Sequence, residues 1–299
     1  MLFCNSMKSI TVFTPSYNRA HLLPKLYESL CYQSCKDFVW MIIDDGSKDN
    51  TKSIVEIWRN EADFEIQYYY KENGGMHTGH NLAYSLINTE LNVCIDSDDY
   101  MPGDAIEKII CKWNTIIDKN NVSGIIGLDA DISGRLIGRK LPENVEFGSY
   151  FDVYDKYNAY GDKKFILRTA LLKDFPKYPE YKNEKLVPLG ILYMIMGEKL
   201  PFAFFNEVLC IVEYQEGGSS NTIFKQYFQS PKGFAYARKL KLNYTKSKKE
   251  IIKYCVHLGA LLFITKDINV TFRDNQYKVL SFFLLPFGFL LYLYLLIKR

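Results

Sequence analysis

The chain has no C-x-x-C pair, no G-x-x-x-x-G-K-S/T phosphate loop and no G-x-G-x-x-G fingerprint. Helix-dipole capture of a phosphate is therefore not the evident plan. Seven cysteines are scattered at 4, 31, 35, 94, 111, 210 and 255. An odd, unpaired set argues against a disulfide framework or structural zinc and for a reducing compartment. No internal repeat or low-complexity segment occurs. No signal-peptide apolar region precedes the first predicted strand, which begins within ten residues of the start. Neither sign of charge dominates, since 37 Lys and Arg against 34 Asp and Glu leave +3 over 299 residues. With 48% hydrophobic and 24% charged residues, wholesale disorder is excluded and one large or two modest domains are expected.

The first 130 residues alternate between two periodicities. Ile10–Thr14, Phe38–Ile43, Ile66–Tyr70, Val93–Ile95 and Gly124–Ala130 are short β-rich runs. Leu23–Tyr32, Thr51–Arg59, Gly79–Ile87 and Asp104–Ile117 between them have helical length and amphipathic spacing. Pro24 suits a first helical turn, and Asp49 or Asn50 suits the cap of the second helix. Such β-α units predict a parallel, doubly wound α/β sheet with helices on both faces. Ligands of these sheets bind beyond the carboxyl ends of the strands, which singles out the loops after Val12, Ile43, Tyr70 and Ile95. Beyond residue 130 the pattern loosens into a loop-rich stretch. A strand is then expected at Phe165–Arg168, a helix at Lys185–Met196, and strands at Phe202–Phe205 and Val208–Glu213.

Three of those loops carry chemistry. Asp96-Ser97-Asp98-Asp99 follows an apolar strand, and in extended backbone Asp96 and Asp98 share a face. Two carboxylates that close repel unless a cation sits between them. Oxygen-only ligands suit Mg²⁺ or Mn²⁺, ions that also hold a substrate's phosphates. The bland alternative is a solvated acidic turn before the helix that follows Pro102. Asp44-Asp45-Gly46-Ser47 supplies acceptors for a base N–H or a ribose hydroxyl, or simply a turn into the helix at Thr51. Thr14-Pro15-Ser16-Tyr17-Asn18-Arg19 offers an aromatic plate for a base and a guanidinium for a pyrophosphate. Together they describe a site that holds a nucleotide diphosphate through a metal.

The residues Thr14–Arg19, Ile43–Ser47, Asn73-Gly74-Gly75 and Asp96–Asp99, in that order and spacing, resemble the family 2 glycosyltransferases of GT-A fold. The resemblance covers roughly residues 8–215 and implies a GT-A domain there. It also implies inverting transfer of a sugar from a nucleotide diphosphate, often UDP, to an acceptor hydroxyl. By it, Tyr17 and Asp45 belong to the nucleobase, with Thr14, Pro15, Asn18, Arg19, Asp44, Asn73, Gly75 and Ser97 around the nucleotide. Asp96 and Asp98 fall at the ribose and the metal, with Asp99 beside the donor phosphates. Relatives carry a basic or small residue after Gly-Gly and an Arg before the following Asn, where this chain has Met76 and His80. Met76, His77 and His80 are expected against phosphate or donor sugar, or in a polar loop. His77 and His80, at i,i+3, are a lesser possibility as metal ligands. Relatives place the catalytic base in an acidic pair. Here Lys185 replaces its aspartate and Glu184 is the acid that remains, with Glu180 in reserve; Glu184 alternatively is a solvated helix-cap acid.

Residues 225–253 carry nine Lys or Arg and one Glu, locally +8, which leaves −5 on the rest. Aromatic residues interleave with them, a pattern that can stack nucleic acid bases. Immediately downstream, however, Val279–Ile297 runs 19 residues without a charge, and this favours an anionic membrane surface over nucleic acid. As one helix the run spans about 28 Å, barely the hydrocarbon thickness. Pro286 and Gly288 interrupt it, so a re-entrant or in-plane pair competes with a single span, and a buried core helix is the alternative. The expected organisation is a GT-A domain at 8–215 and a basic helical, membrane-associated extension at 216–299, on the cytoplasmic side of the cell membrane. The partners expected are a nucleotide-sugar donor and a saccharide or lipid-linked acceptor. A nucleotidyltransferase, which releases pyrophosphate from a triphosphate, and a non-catalytic nucleotide-binding scaffold are the rival readings.

Overall fold

The computed structural model describes residues 8–215 and 223–298. It divides into two compact units, one built from the chain up to Pro176 with Met196–Gln215, the other from Lys177–Ile195 with the C-terminal helices. The segment 177–195, assigned by sequence to the first domain, thus groups with the second.

The first unit is built on strands β1 (Ile10–Ser16), β2 (Phe38–Asp44), β3 (Glu65–Tyr70), β4 (Leu91–Cys94), β5 (Gly124–Asp131), β6 (Phe147–Gly148), β7 (Lys163–Arg168) and β8 (Phe202–Val212). They form one sheet in the order β3-β2-β1-β4-β7-β5-β8-β6. β3, β2, β1 and β4 run parallel, as expected. β7 enters antiparallel between β4 and β5, and β6 is antiparallel at the edge, so the sheet is mixed rather than wholly parallel. β8 is one strand where the sequence suggested two. A register shift against β5 between Ile126 and Leu128 absorbs Asn206 and Glu207 without ending the ladder.

Helices α1 (Leu23–Cys31), α2 (Thr51–Glu61) and α4 (Ala105–Thr115) bury Leu23, Leu26, Leu30, Val55, Ile106, Ile109 and Trp113 on the face carrying Ile10, Val12, Trp40 and Ile42. Helix α3 (Met76–Leu86) covers the opposite face, with Ala83 against Phe13, Met41 and Ile43. The period-2 alternation along β1 and β2 assigns the two layers. α3 starts three residues before the expected Gly79, because Gly75 at φ +94° turns the chain straight into it. Gly79 is instead a packing position: a Cβ there would touch Pro15 and Ile43 at 3.5 Å.

In the second unit lie α6 (Ile223–Gln229), α7 (Pro231–Tyr244), α8 (Lys248–Thr265), α9 (Ile268–Phe272), α10 (Lys278–Phe283) and α11 (Leu285–Lys298). α5 (Gly190–Lys199) bridges the division in sequence. It begins five residues later than expected, since Pro188 disfavours helix at the residue before it. Ser247 caps α8 by accepting from the Glu250 amide at 3.4 Å, and Asp267 caps α9 in the same way at 3.0 Å. Tyr227, Phe234, Leu242, Tyr254, Cys255, Leu258, Leu261 and Leu295 form the core. α8 and α11 cross where Gly259 meets Gly288; a Cβ on Gly288 would lie 2.8 Å from the Gly259 backbone. The apolar tail is not one span. It breaks at Leu284 into α10 and α11, and among the described residues no helix is long and apolar enough to cross a membrane.

Candidate active site

The carboxyl ends of β1, β2, β4, β5 and β8 and the start of the antiparallel β7 share one edge of the sheet. There the loop after β1 and the loop after β2 are stitched together. Asn18, at φ +52°, donates its amide to Ser47 Oγ at 2.8 Å and accepts the Lys48 amide on Oδ1 at 2.8 Å. Asp49 Oδ2 accepts the Ala20 amide at 2.9 Å. Tyr17 stands free of this network, 45% exposed. Thr14 and Pro15 are buried in β1, and Thr14 Oγ1 accepts from Trp40 Nε1 at 3.0 Å. Their side chains anchor the loop.

Both acids of the second loop are engaged. Asp44 accepts the Ser47 amide at 2.7 Å and the Tyr68 hydroxyl at 2.5 Å. Asp45 Oδ1 accepts Lys71 Nζ at 2.6 Å and the Gly74 amide at 2.9 Å. Its Oδ2 accepts the Gly75 amide at 2.8 Å and Asn73 Nδ2 at 3.1 Å. A carboxylate has about four lone-pair sites, and four donors occupy them. Here Asp45 organises the Asn73-Gly74-Gly75 loop.

Asp96–Asp99 lies between this loop system and β8. The Asp99 amide donates to the Asp96 carbonyl at 3.0 Å, and Asp99 Oδ1 accepts the Glu213 amide at 3.2 Å. Ser97 and Asp99 are buried, while Asp96 and Asp98 are partly open. Asp98 accepts Arg19 Nη1 at 2.6 Å. Burial, with the charge of Asp98 adding to it, raises the Asp96 carboxyl above its ordinary range, against the pull of Lys164. Burial pushes Asp99 up to about 7. Lys164 of β7 was missed by sequence. Burial alone would lower it, but Asp129, Asp99 and Asp96 around it hold its ammonium well above the ordinary range. Its Nζ stands 4.0 Å from Asp129 Oδ2. No motif marked it, because it reaches the acids from a strand more than sixty residues downstream.

Four carboxylates, Asp96, Asp98, Asp99 and Asp129, thus face the fixed cations Arg19 and Lys164, with Lys163 also acting on Asp129. The oxygen-only donors fit Mg²⁺ or Mn²⁺. Among the described residues no three His, Cys, Asp or Glu side chains gather as a complete metal-binding set, so further ligands would have to come from phosphate and water.

The histidines go elsewhere. His77 and His80 are buried on α3, and His80 is 0% exposed. His80 Nδ1 meets the Tyr84 hydroxyl at 3.0 Å, Nε2 meets Cys94 Sγ at 3.5 Å, and the ring sits edge-on to Phe13. Burial, with the charge of His77 adding to it, lowers His80 to about 3, so it is neutral. It packs behind the site, where sequence put it against phosphate or sugar; Met76 is exposed. Glu184, in the second unit, accepts the Lys232 amide at 3.2 Å and the Gly233 amide at 3.0 Å. Ser230 makes no side-chain cap, and Glu184 supplies one to the first turn of α7.

Residues 11–133 match the model of glycosyl transferase family 2. The poly(ribitol-phosphate) β-N-acetylglucosaminyltransferase TarS of Staphylococcus aureus is 26% identical over 171 residues, 56% of this chain and 29% of that protein. The GalNAc(5)-diNAcBac-PP-undecaprenol β-1,3-glucosyltransferase of Campylobacter jejuni is 26% identical over 163 residues, 50% and 52% of the two chains. The chain therefore spans about half or less of the length of these curated relatives. The crystal structure of S. aureus TarS 1–349 with UDP-GlcNAc superposes with a TM-score of 0.57 at 17% identity, covering 95% of this chain and 89% of that one. The mannosyltransferase PcManGT of Pyrobaculum calidifontis, in complex with GDP-Man and Mn²⁺, gives 0.53 at 14% identity, over 96% and 79%. The fold is that of these transferases.

Proposed function

We propose that this protein is a metal-dependent inverting glycosyltransferase. It takes a sugar from a UDP-sugar and passes it to a hydroxyl of a saccharide or lipid-linked acceptor in surface glycan synthesis. The observation that carries the reading is the single sheet edge at which Tyr17, Arg19 and the Asp96–Asp99 carboxylates meet. Support comes from the UDP-GlcNAc and UDP complexes of TarS, the lipid-diphosphate acceptor in the name of the Campylobacter relative, and the Mn²⁺ in the PcManGT complex.

In this reading Tyr17 stacks on the base and Arg19 offers its guanidinium to the diphosphate. A divalent ion held by Asp96 and Asp98 would offset the charge of the leaving diphosphate. The acceptor oxygen bonds to the anomeric carbon as the carbon–oxygen bond to diphosphate breaks, which inverts the centre. The carboxylate assigned to take the acceptor's proton is Glu184, whose two oxygens each accept one amide and keep lone pairs free. Attachment to the cytoplasmic membrane face through the outward side of α10 and α11 belongs to the same proposal.

The test is UDP binding with and without Mn²⁺, followed by a screen of nucleotide sugars for hydrolysis without acceptor. Asp98→Asn should abolish metal-dependent UDP binding and turnover while the circular dichroism stays native. Full activity in excess EDTA, or an unimpaired Asp98→Asn enzyme, would overturn the proposal. UDP binding without turnover of any donor would make the protein a nucleotide-binding scaffold.

A further inference from the structure

β7 runs antiparallel between β4 and β5, with Val93 paired to Ile166 and Gly127 to Lys164. Lys164, two residues before Ile166, therefore lies level with the point where β4 runs into Asp96. Its side chain is only 13% exposed and the Asp129 side chain 3%. The 4.0 Å between Nζ and Oδ2 is an ion pair but too long for a hydrogen bond. Asp129 Oδ1 is buried with no hydrogen-bond partner. Lys164 thus pairs with Asp129 without closing a hydrogen bond on it, and it stands among Cys210, Asp99 and Asp96 as well, a placement that serves charge balance rather than a single bond. Lys25 bonds Glu213, whereas Lys163 acts on Asp129 as well as on Asp162 and is the lesser of the two lysines on Asp129.

We infer that Lys164 is a positioning residue of the donor site, a fixed internal cation behind the Asp96–Asp99 loop that offsets Asp96, Asp99 and Asp129 and holds the loop in shape ahead of ligand. Without it the loop carboxylates repel one another and Asp99 loses its reason to stay against the Glu213 amide. The ion pair with Asp129 and the strand register stand by themselves; the consequence for donor affinity rests on the glycosyltransferase reading.

The experiment compares Lys164→Met, Lys164→Arg and the double variant Lys164→Met with Asp129→Asn. Two quantities are measured at pH 7.5: the melting temperature without nucleotide or metal, and the dissociation constant for UDP with Mn²⁺. Lys164→Met should melt lower and bind UDP at least tenfold more weakly. Lys164→Arg should stay near wild type. The double variant removes one charge of each sign, so it should recover both quantities to within threefold in affinity. If Lys164→Met fails to fold, a folded and binding double variant still supports the inference.

Wild-type values from Lys164→Met would overturn the inference. So would a double variant as poor as the single, because Lys164 would then touch the donor itself or be needed for folding alone. Failure of the wild-type protein to bind UDP would count against the glycosyltransferase reading, leaving the melting series to judge Lys164.

Discussion

A carboxylate with two amides on it can be a helix cap, a base, or both, and substitution at Glu184 separates the cases. Glutamine keeps one carbonyl acceptor for the α7 amides but has no basicity. Glu184→Gln should hold the melting temperature within a few degrees and leave UDP affinity unchanged, while kcat falls by about 10²–10⁴. Retained kcat would return Glu184 to capping alone and move attention to Glu180. Tyr17, Arg19 and Asp98 were singled out because their residue types state a chemistry, and the structure pairs Arg19 with Asp98 and leaves Tyr17 exposed. Asp45 was legible as a site residue only in part. Its donors lie 26 to 30 residues away, and no local pattern announces them. Lys164 was illegible for the same reason, since its meaning comes from strands paired across the sheet.

Elements were easier to read than contacts, because hydrophobic periodicity reports burial directly. The first four strands and helices, and β7 itself, appear within a few residues of expectation, whereas the antiparallel insertion of β7 between β4 and β5 leaves no trace in periodicity. α3 shows how a polar residue type misleads. Its histidines suggested a ligand site, yet His80 wedges α3 against Phe13. With its pKa lowered to about 3 from about 6.5 in the unfolded chain, His80 binds no proton in the fold where the unfolded chain takes one. Its contribution is therefore complete above pH 6.5 and drains away as pH falls toward 3. Asp99 and Asp129, raised to about 7 and about 6, act in the opposite sense, because they favour the fold as pH falls. Comparing wild type with His80→Gln isolates the histidine. The advantage of wild type over the variant in urea denaturation should shrink by about 3 kcal/mol between pH 7.5 and pH 4. A difference that does not vary with pH would show that His80 is not held neutral by its surroundings.

For the whole molecule the open question is what covers α11. A helix apolar all round is normally buried all round, but α11 presents only Gly288 and Leu295 to a fully buried environment. Phe287, Leu290, Leu293, Tyr294 and Ile297 are exposed, and Phe282 and Phe283 of α10 extend the face. Lys278 begins α10 and Lys298 ends α11, the placement of side chains that reach from an apolar layer to anionic headgroups. Deleting the tail would be a poor test, because Leu295 completes the core and Gly288 seats α11 on α8. Substituting outward residues is better. Phe287→Glu with Leu290→Glu removes two apolar contacts worth about 1.5–3 kcal/mol each when fully buried, and adds charge where lipid is proposed. The double variant should keep its melting temperature yet co-float at least tenfold less with vesicles containing phosphatidylglycerol. Its UDP affinity should not change, since Tyr17, Arg19 and the Asp96–Asp99 acids all belong to the first unit. Equal flotation of the two proteins, or a wild type that ignores vesicles and self-associates instead, would assign the face to another copy of the chain and end the membrane proposal.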